Sequence, residues 1–251
     1  MLRLKVPRLR NPNIVFRLTN SAAEVERAEK LVLENYMGVG LWSDSKELTE
    51  NNFLHSSRRT CFVAVEGDRL LATASIVTDS VGGLPADKFQ PHVMKRIRGL
   101  GDRLAEVSAL AVDSHTSQSR EIVLFLFSFI TQFSFFYAGL DRFTISTTEK
   151  HARFYKSVFG FQTLTEPAEH YYVNVKGQLL TVNLLQARIG LAETYGVESE
   201  VVNSEAVDFY HFLFNTVYEF FRFPVDVQLR RRRDRDWLRE ARLFLQMPIA
   251  V

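Results

Sequence analysis

The stretch Arg103–Phe161 constrains the fold more than any other part of the sequence. It reads RLAEVSALAVD, SHTSQSR, a long apolar run, DRFTISTTEKH and ARFYKSVFGF. That pattern predicts a strand, a polar turn, a buried helix, a second strand and a short helix stopped at Gly160. Strand–helix–strand order puts the two strands parallel and adjacent, with the crossover helix packed on the sheet. Ligands of open α/β sheets bind where strands end and helices begin, here the turn Ser114–Arg120. Glu106 stands inside the first strand, surrounded by Leu, Ala and Val.

Within that stretch, Ile122–Leu140 has no charged residue across 19 positions, a length able to cross a bilayer. Glu121, Ser128, Thr131, Gln132 and Gly139 gather on one side of a helix with this period. Strand-like runs flank the segment, and Arg120 and Arg142 bracket it without an orienting charge bias. A helix buried against a sheet is therefore expected. With 46% hydrophobic residues in 251, a sizeable core is available. The net charge of +2 points to no nucleic-acid partner, although Arg230–Arg233 concentrates four positive charges. One cysteine, Cys61, excludes an internal disulfide framework and fits a cytoplasmic protein. Its apolar neighbours mark it as a core residue. Six scattered histidines give no metal-ligand spacing. The N-terminal MLRLKVPRLRNPN is basic without a following apolar run, so it reads as a loose leader and not a signal peptide.

Ile14–Leu18 reads as a first strand, and a helix capped by Asn20 or Ser21 runs to about Met37. A polar stretch from Leu41 to Arg59 follows, of the kind that covers a site or moves. Thr60–Glu66 and Arg69–Asp79 flank a hairpin turn at Gly67, and Gln90–Gly99 forms a short basic helix. Beyond Gly160, strands are expected over Phe161–Leu164 and Tyr171–Leu185, the latter interrupted by a turn at Lys176-Gly177. Residues 187–202 are weakly patterned. Helices are expected over Ser204–Phe223 and Asp226–Leu245.

Strict alternation puts Leu104, Glu106, Ser108, Leu110 and Val112 on one face of the strand, with Ala105, Val107, Ala109 and Ala111 on the other. An ionised Glu in such a strand is costly unless paired, hydrogen-bonded or wetted by a cleft. Two readings stand level: a structural ion pair with an arginine, or a carboxylate of tuned pKa that accepts a proton. The turn SHTSQSR offers free backbone N–H groups and Arg120 to an anion, though it has no glycine. Tyr155 shares a helix face with His151; it either packs or protonates a leaving thiolate.

Three stretches, LATASIVTDSVGGLPADKF, RLAEVSALAVDSHTSQSR and EKHARFYKSVFGFQTL, together resemble the GNAT superfamily of N-acyltransferases. The closest likeness is to its N-acyl amino acid synthases, relatives of the acyl-homoserine lactone synthases, over roughly residues 14–185. The resemblance implies an α/β fold, α+β in its layering: a mixed central sheet with helices on both faces over residues 13–186. A helical C-terminal extension over 187–251 follows it. It implies an enzyme that moves a long acyl chain from an acyl-carrier-protein thioester to the amino group of an amino acid. No resident cofactor or metal is implied; acyl-phosphopantetheine is the donor substrate, with acyl-CoA as the alternative donor.

Glu106 then matches the acidic residue of the family's E-x-S motif, a base, with Tyr155 as its catalytic companion. Ser108, Leu110, Val112, Ser119 and Arg120 would hold the donor, and Trp42 and Asp44 the acceptor. Two departures matter. Ala109 stands where the lactone synthases carry arginine, which argues against a homoserine lactone product. Ser117-Gln118-Ser119-Arg120 replaces the glycine-rich pyrophosphate loop of acetyl-CoA enzymes, which favours a carrier protein as donor. The competing functions are an acyl-CoA-dependent transferase acting on a small amine or protein, and a catalytically silent lipid- or partner-binding module. For residues 204–245, docking onto the domain is expected first. Recruitment of an acidic carrier protein comes second, and peripheral contact with the inner membrane third.

Overall fold

The computed structural model describes residues 4–41, 58–170, 173–196 and 208–224. Strand β1 (Ile14–Leu18) leads into helix α1 (Ala22–Gly38), whose N-cap Ser21 Oγ accepts the Glu24 N–H at 3.2 Å. β2 (Arg59–Glu66) and β3 (Arg69–Thr78) form the expected hairpin around Gly67, whose φ of 57° suits glycine. A one-turn helix, Pro85–Lys88, and the basic helix α2 (Pro91–Arg98) come next. Then follow β4 (Leu104–Val112), α3 (Ser119–Gln132, prolonged by a π-helical turn Phe133–Tyr137), β5 (Arg142–Thr148) and α4 (Glu149–Phe159). Gly160 closes α4 in the left-handed conformation, φ 73°. β6 (Gln162–Thr163), β7 (Ala168–His170), β8 (Val173–Asn183), α5 (Leu184–Tyr195) and β9 (Phe221–Arg222) complete the described chain.

Among the described residues one mixed sheet runs β6-β8-β5-β4-β3-β2-β1-β9, with β7 paired to β8. β4 and β5 are parallel with α3 as crossover, as the sequence predicts, and β9 is parallel to β1. α3 and α4 cover one face through a phenylalanine-rich core that includes Phe62, Phe125, Phe127, Phe129 and Phe143. α1, the one-turn helix and α2 cover the other. Among the described residues, Ser119–Ala138 alone is long and apolar enough to cross a membrane, and most of it is buried within the fold.

The polar side of α3 is what binds the C-terminal segment. Ser128 Oγ donates to the Phe212 carbonyl at 2.6 Å, and Gln132 Nε2 donates to the Thr216 carbonyl at 3.1 Å. Residues 208–224 therefore dock on the domain. They are not the continuous helix that the sequence suggests. Helical turns end at Asn215, Thr216 is extended, and Phe221 pairs with Phe16 at the sheet edge. Dense aromatic spacing satisfies a helix and a packed strand alike, so the period misleads here.

Three further expectations are corrected. Residues 4–10 do not hang loose: Leu4, Val6 and Leu9 pack on the core, and the Leu4 N–H donates to Tyr195 Oη at 2.7 Å. Lys176-Gly177 is not a turn, because β8 runs through it and Gly177 pairs with Thr148 on one side and Ala168 on the other. The weakly patterned start of 187–202 belongs to α5, capped by Asn183, which spans residues 186 and 187. Asp226–Leu245, with Arg230–Arg233, lies outside the described residues.

Strict alternation also fails in β4. Ala109 adopts φ 53°, and the β3–β4 register shifts so that Ala109 and Leu110 oppose a single residue, Ala74. Past this bulge the faces exchange. Ala109 and Ala111 pack under Val32 and Tyr36 of α1, while Leu110 and Val112 turn to the α3 side with Ala105 and Val107. A left-handed backbone costs an L residue about 1–2 kcal/mol. Ala109→Gly removes that strain but loosens the unfolded chain, so its stability should stay within about 1 kcal/mol of wild type. Ala109→Val, β-branched and pressed against α1, should cost more than about 2 kcal/mol in urea unfolding. Equal stability of the two variants would show that the bulge is not strained.

Candidate active site

The parallel ladder between β4 and β5 is short. It joins Leu104–Val107 to Arg142–Ile145 and stops there. Beyond it, β4 stays bound to β3 through Ser108, Ala111 and Val112, and β5 stays bound to β8 through Ser146, Thr147 and Thr148. The facing edges carry no ladder of their own, so the sheet opens into a wedge. The bulge at Ala109 bends β4 at the place where the wedge begins.

Glu106 sits at the head of this wedge, 2% exposed. Its Oε2 accepts the Ala86 N–H at 2.8 Å, and its Oε1 accepts Ser146 Oγ, across the divergence, at 3.3 Å. The arginine partner that one reading required is not there among the described residues. Burial outweighs the two hydrogen bonds, which favour the ionised form, and together with the Asp87 charge it leaves the carboxyl pushed up to about 7. Asp87 itself is tied to Arg98, which also holds Asp79 at 2.7 Å. A carboxylate with these surroundings is half-ionised near neutral pH, where a general base is most effective.

The other predicted residues fall in distinct places. Ser108, half-buried, faces Ser75 across the β3–β4 ladder. Leu110 and Val112, expected on Glu106's face, are turned to the other side by the bulge; what they offer the wedge is backbone. Ser119 Oγ caps its own turn by donating to the Thr116 carbonyl at 2.7 Å, and Arg120 is exposed at the start of α3. Gln118 Oε1 accepts the Arg10 backbone N–H at 2.7 Å, so the N-terminal segment lies against the turn Ser114–Arg120. Trp42 and Asp44 lie outside the described residues.

Tyr155 is 5% exposed and packed among Phe127, Phe159 and Phe161. Burial, and then the charge of Tyr36, raise its phenol well above the ordinary value. Burial raises Tyr36 to about 12. Tyr36 comes from α1 on one face of the sheet and Tyr155 from α4 on the other. Tyr36, Ser146 and the Ala86 N–H escaped the sequence reading. Ser146 follows from parallel register with the Glu106 strand, but nothing in LPADK announces a backbone donor aimed at a carboxylate.

The aromatic residues of α3 are filled by one another. Phe125 meets Phe212, Tyr218 and Phe220, and Phe129 stacks on Phe223 at 4.3 Å. They form part of the core on this face of the sheet.

The profile of the N-acyl amino acid synthase FeeM family matches residues 27–183. Among solved structures, FeeM, an N-acyl amino acid synthase from uncultured soil microbes, is 27% identical, with a TM-score of 0.63. The match covers 71% of this chain and 94% of that one. A spermidine N-acetyltransferase from Vibrio cholerae, in complex with CoA and spermine, is 14% identical over 70% of this chain and 99% of that chain, with a TM-score of 0.49. No curated protein sequence matches. The match spans well over half the chain and includes the wedge, Glu106 and Tyr155, so the chain belongs to the N-acyl amino acid synthase FeeM family and is an N-acyltransferase of the GNAT fold.

Proposed function

We propose that this protein transfers a long acyl chain from a carrier-protein thioester to the amino group of an amino acid. The observation that carries this reading is Glu106: a buried carboxylate without a cationic partner among the described residues, at the head of the β4–β5 wedge, where burial pushes its carboxyl up to about 7. The donor's pantetheine arm adds to the free edge of β4 beyond Val107, in the manner of an extra strand. The acceptor's neutral amine attacks the thioester carbon, a C–N bond forms, and Glu106, directly or through a water, takes the proton that the nitrogen sheds as it bonds. The oxyanion is held by backbone N–H groups of the parted strands. The intermediate then expels the thiolate as the C–S bond breaks, and Tyr155 supplies the proton that makes it a thiol.

The contact of Arg10 with Gln118 supports a carrier-bound donor, because protein already lies against the turn where a nucleotide's pyrophosphate would sit. The test compares one acyl chain presented on carrier protein and on coenzyme A, with a pool of amino acids as acceptors. The carrier thioester should give the higher kcat/KM, with N-acyl amino acids found by mass spectrometry. Equal or better turnover of acyl-CoA would move the assignment to a CoA-dependent transferase. Tyr155→Phe should slow transfer by roughly 100-fold or more, less for donors whose thiol leaves readily. A uniform loss for all donors would assign Tyr155 to packing.

A further inference from the structure

Glu106 and Thr144 occupy one register position of the parallel β4–β5 pair. Register partners in parallel strands carry their side chains on the same face, with the strands about 4.8 Å apart. Thr144 is fully buried, and its Oγ1 has no hydrogen-bond partner among the described residues. Its neighbour on the other side, Thr181, already gives its hydroxyl to the Phe143 carbonyl at 2.9 Å. Buried hydroxyls are nearly always bonded, and an exception calls for a reason. The reason stands one strand away. Each Glu106 oxygen accepts one hydrogen bond and has room for a second.

We propose that Thr144 is a positioning residue for the base: its hydroxyl turns to donate to the Glu106 carboxylate when that group is ionised, and releases it when the group is protonated. The hydroxyl then stabilises the charged form and sets the pH at which the base becomes available. The surroundings leave this task to a neutral donor. The one-turn helix contributes the Asp87 carboxylate, which opposes ionisation, and Arg98 of α2 is engaged with Asp79 and Asp87. β3 places Val77 beside Glu106, β5 contributes Thr144 and Ser146, and β8 places Leu179 opposite Ser146. None of these carries a charge; on the same face α1 presents Tyr36 and Glu29, and Glu29 pairs with Arg59 of β2 at 2.6 Å.

The inference rests on Glu106 as base, but its test does not. In the full chain, the carbonyl stretch of the protonated Glu106 carboxyl is followed by difference infrared spectroscopy against pH, the band being assigned by its loss in Glu106→Gln. Thr144→Val, nearly isosteric, should move the midpoint up by about one pH unit, and Thr144→Ser should restore it. Thr144→Ala supplies the same readout if valine disturbs packing. Acyl transfer below the midpoint should fall about tenfold in Thr144→Val and recover at high pH. A midpoint that coincides with wild type in both Val and Ala variants overturns the proposal. A midpoint that shifts without any change in the pH–rate profile upholds the role of Thr144 and instead removes Glu106 as the base.

Discussion

Glu106→Gln should lose roughly two to four orders of magnitude in kcat/KM, the usual worth of a positioned general base. Wild-type activity should rise with pH through a limb centred near 7, where the buried carboxyl ionises, and the variant should show no such limb. The same substitution should affect stability in the opposite sense. The folded pKa lies above the unfolded value of 4.5, so the folded state holds its proton more tightly. That contribution is fully present below pH 4.5 and is lost as pH rises to about 7. The wild type should therefore lose up to about 3 kcal/mol across this window, a slope that Glu106→Gln lacks. Glutamine can keep both contacts: its carbonyl accepts the Ala86 N–H, and Ser146 reverses its hydroxyl to accept from the amide. Above pH 7 the inactive variant should thus melt higher than the active enzyme. Lower stability at pH 8 would mean that the carboxylate is better solvated than its burial implies.

Gln132→Leu should have the largest structural effect away from the wedge. Gln132 is fully buried, and its Nε2 donates to Ser128 Oγ and to the Thr216 carbonyl, both at 3.1 Å. Leucine keeps the volume but takes a donor away from a buried carbonyl, a loss of about 1–3 kcal/mol. In a chain of this size that corresponds to a fall in Tm of roughly 2–12 °C. The damage should concentrate in residues 208–224, because Phe212 and Thr216 are held there to α3. Amide exchange should quicken in that segment first, while β4 and β5 stay protected. Uniform exchange changes across the whole sheet would show that the segment and the domain open as one unit.

The sequence makes the unit from β4 to α4 legible because its signals agree. An apolar strand, a polar turn, a charge-free helix and a helix closed by Gly160 each name the same architecture. The buried carboxylate is legible for the same reason, since a lone Glu in an apolar strand is costly without a purpose. What the sequence hides is local backbone geometry. The bulge uses Ala109 and not glycine, so no residue marks the reversal that sends Leu110 and Val112 to the far face. The Ala86 N–H reaches Glu106 by a contact between residues 20 apart in the chain, beyond any short-range pattern. Lys176-Gly177 resembles a turn because glycine frees the backbone, yet here pairing with a strand on each side keeps the segment extended. The aromatic run of 208–224 carries a helical period, but pairing of Phe221 with Phe16 and the polar anchors on α3 decide its path.

If Glu106 drives aminolysis of a carrier-bound thioester, every thiol released is matched by one amide formed, and stoichiometry reads this at once. Purified protein, long-chain acyl carrier protein and isotope-labelled amino acids are mixed, with free thiol and N-acyl product measured in the same samples over time. One amide per thiol released by the wild type, with both lost together in Glu106→Gln, is the predicted result. Thiol release without amide, or amide formation undiminished in Glu106→Gln, would contradict it.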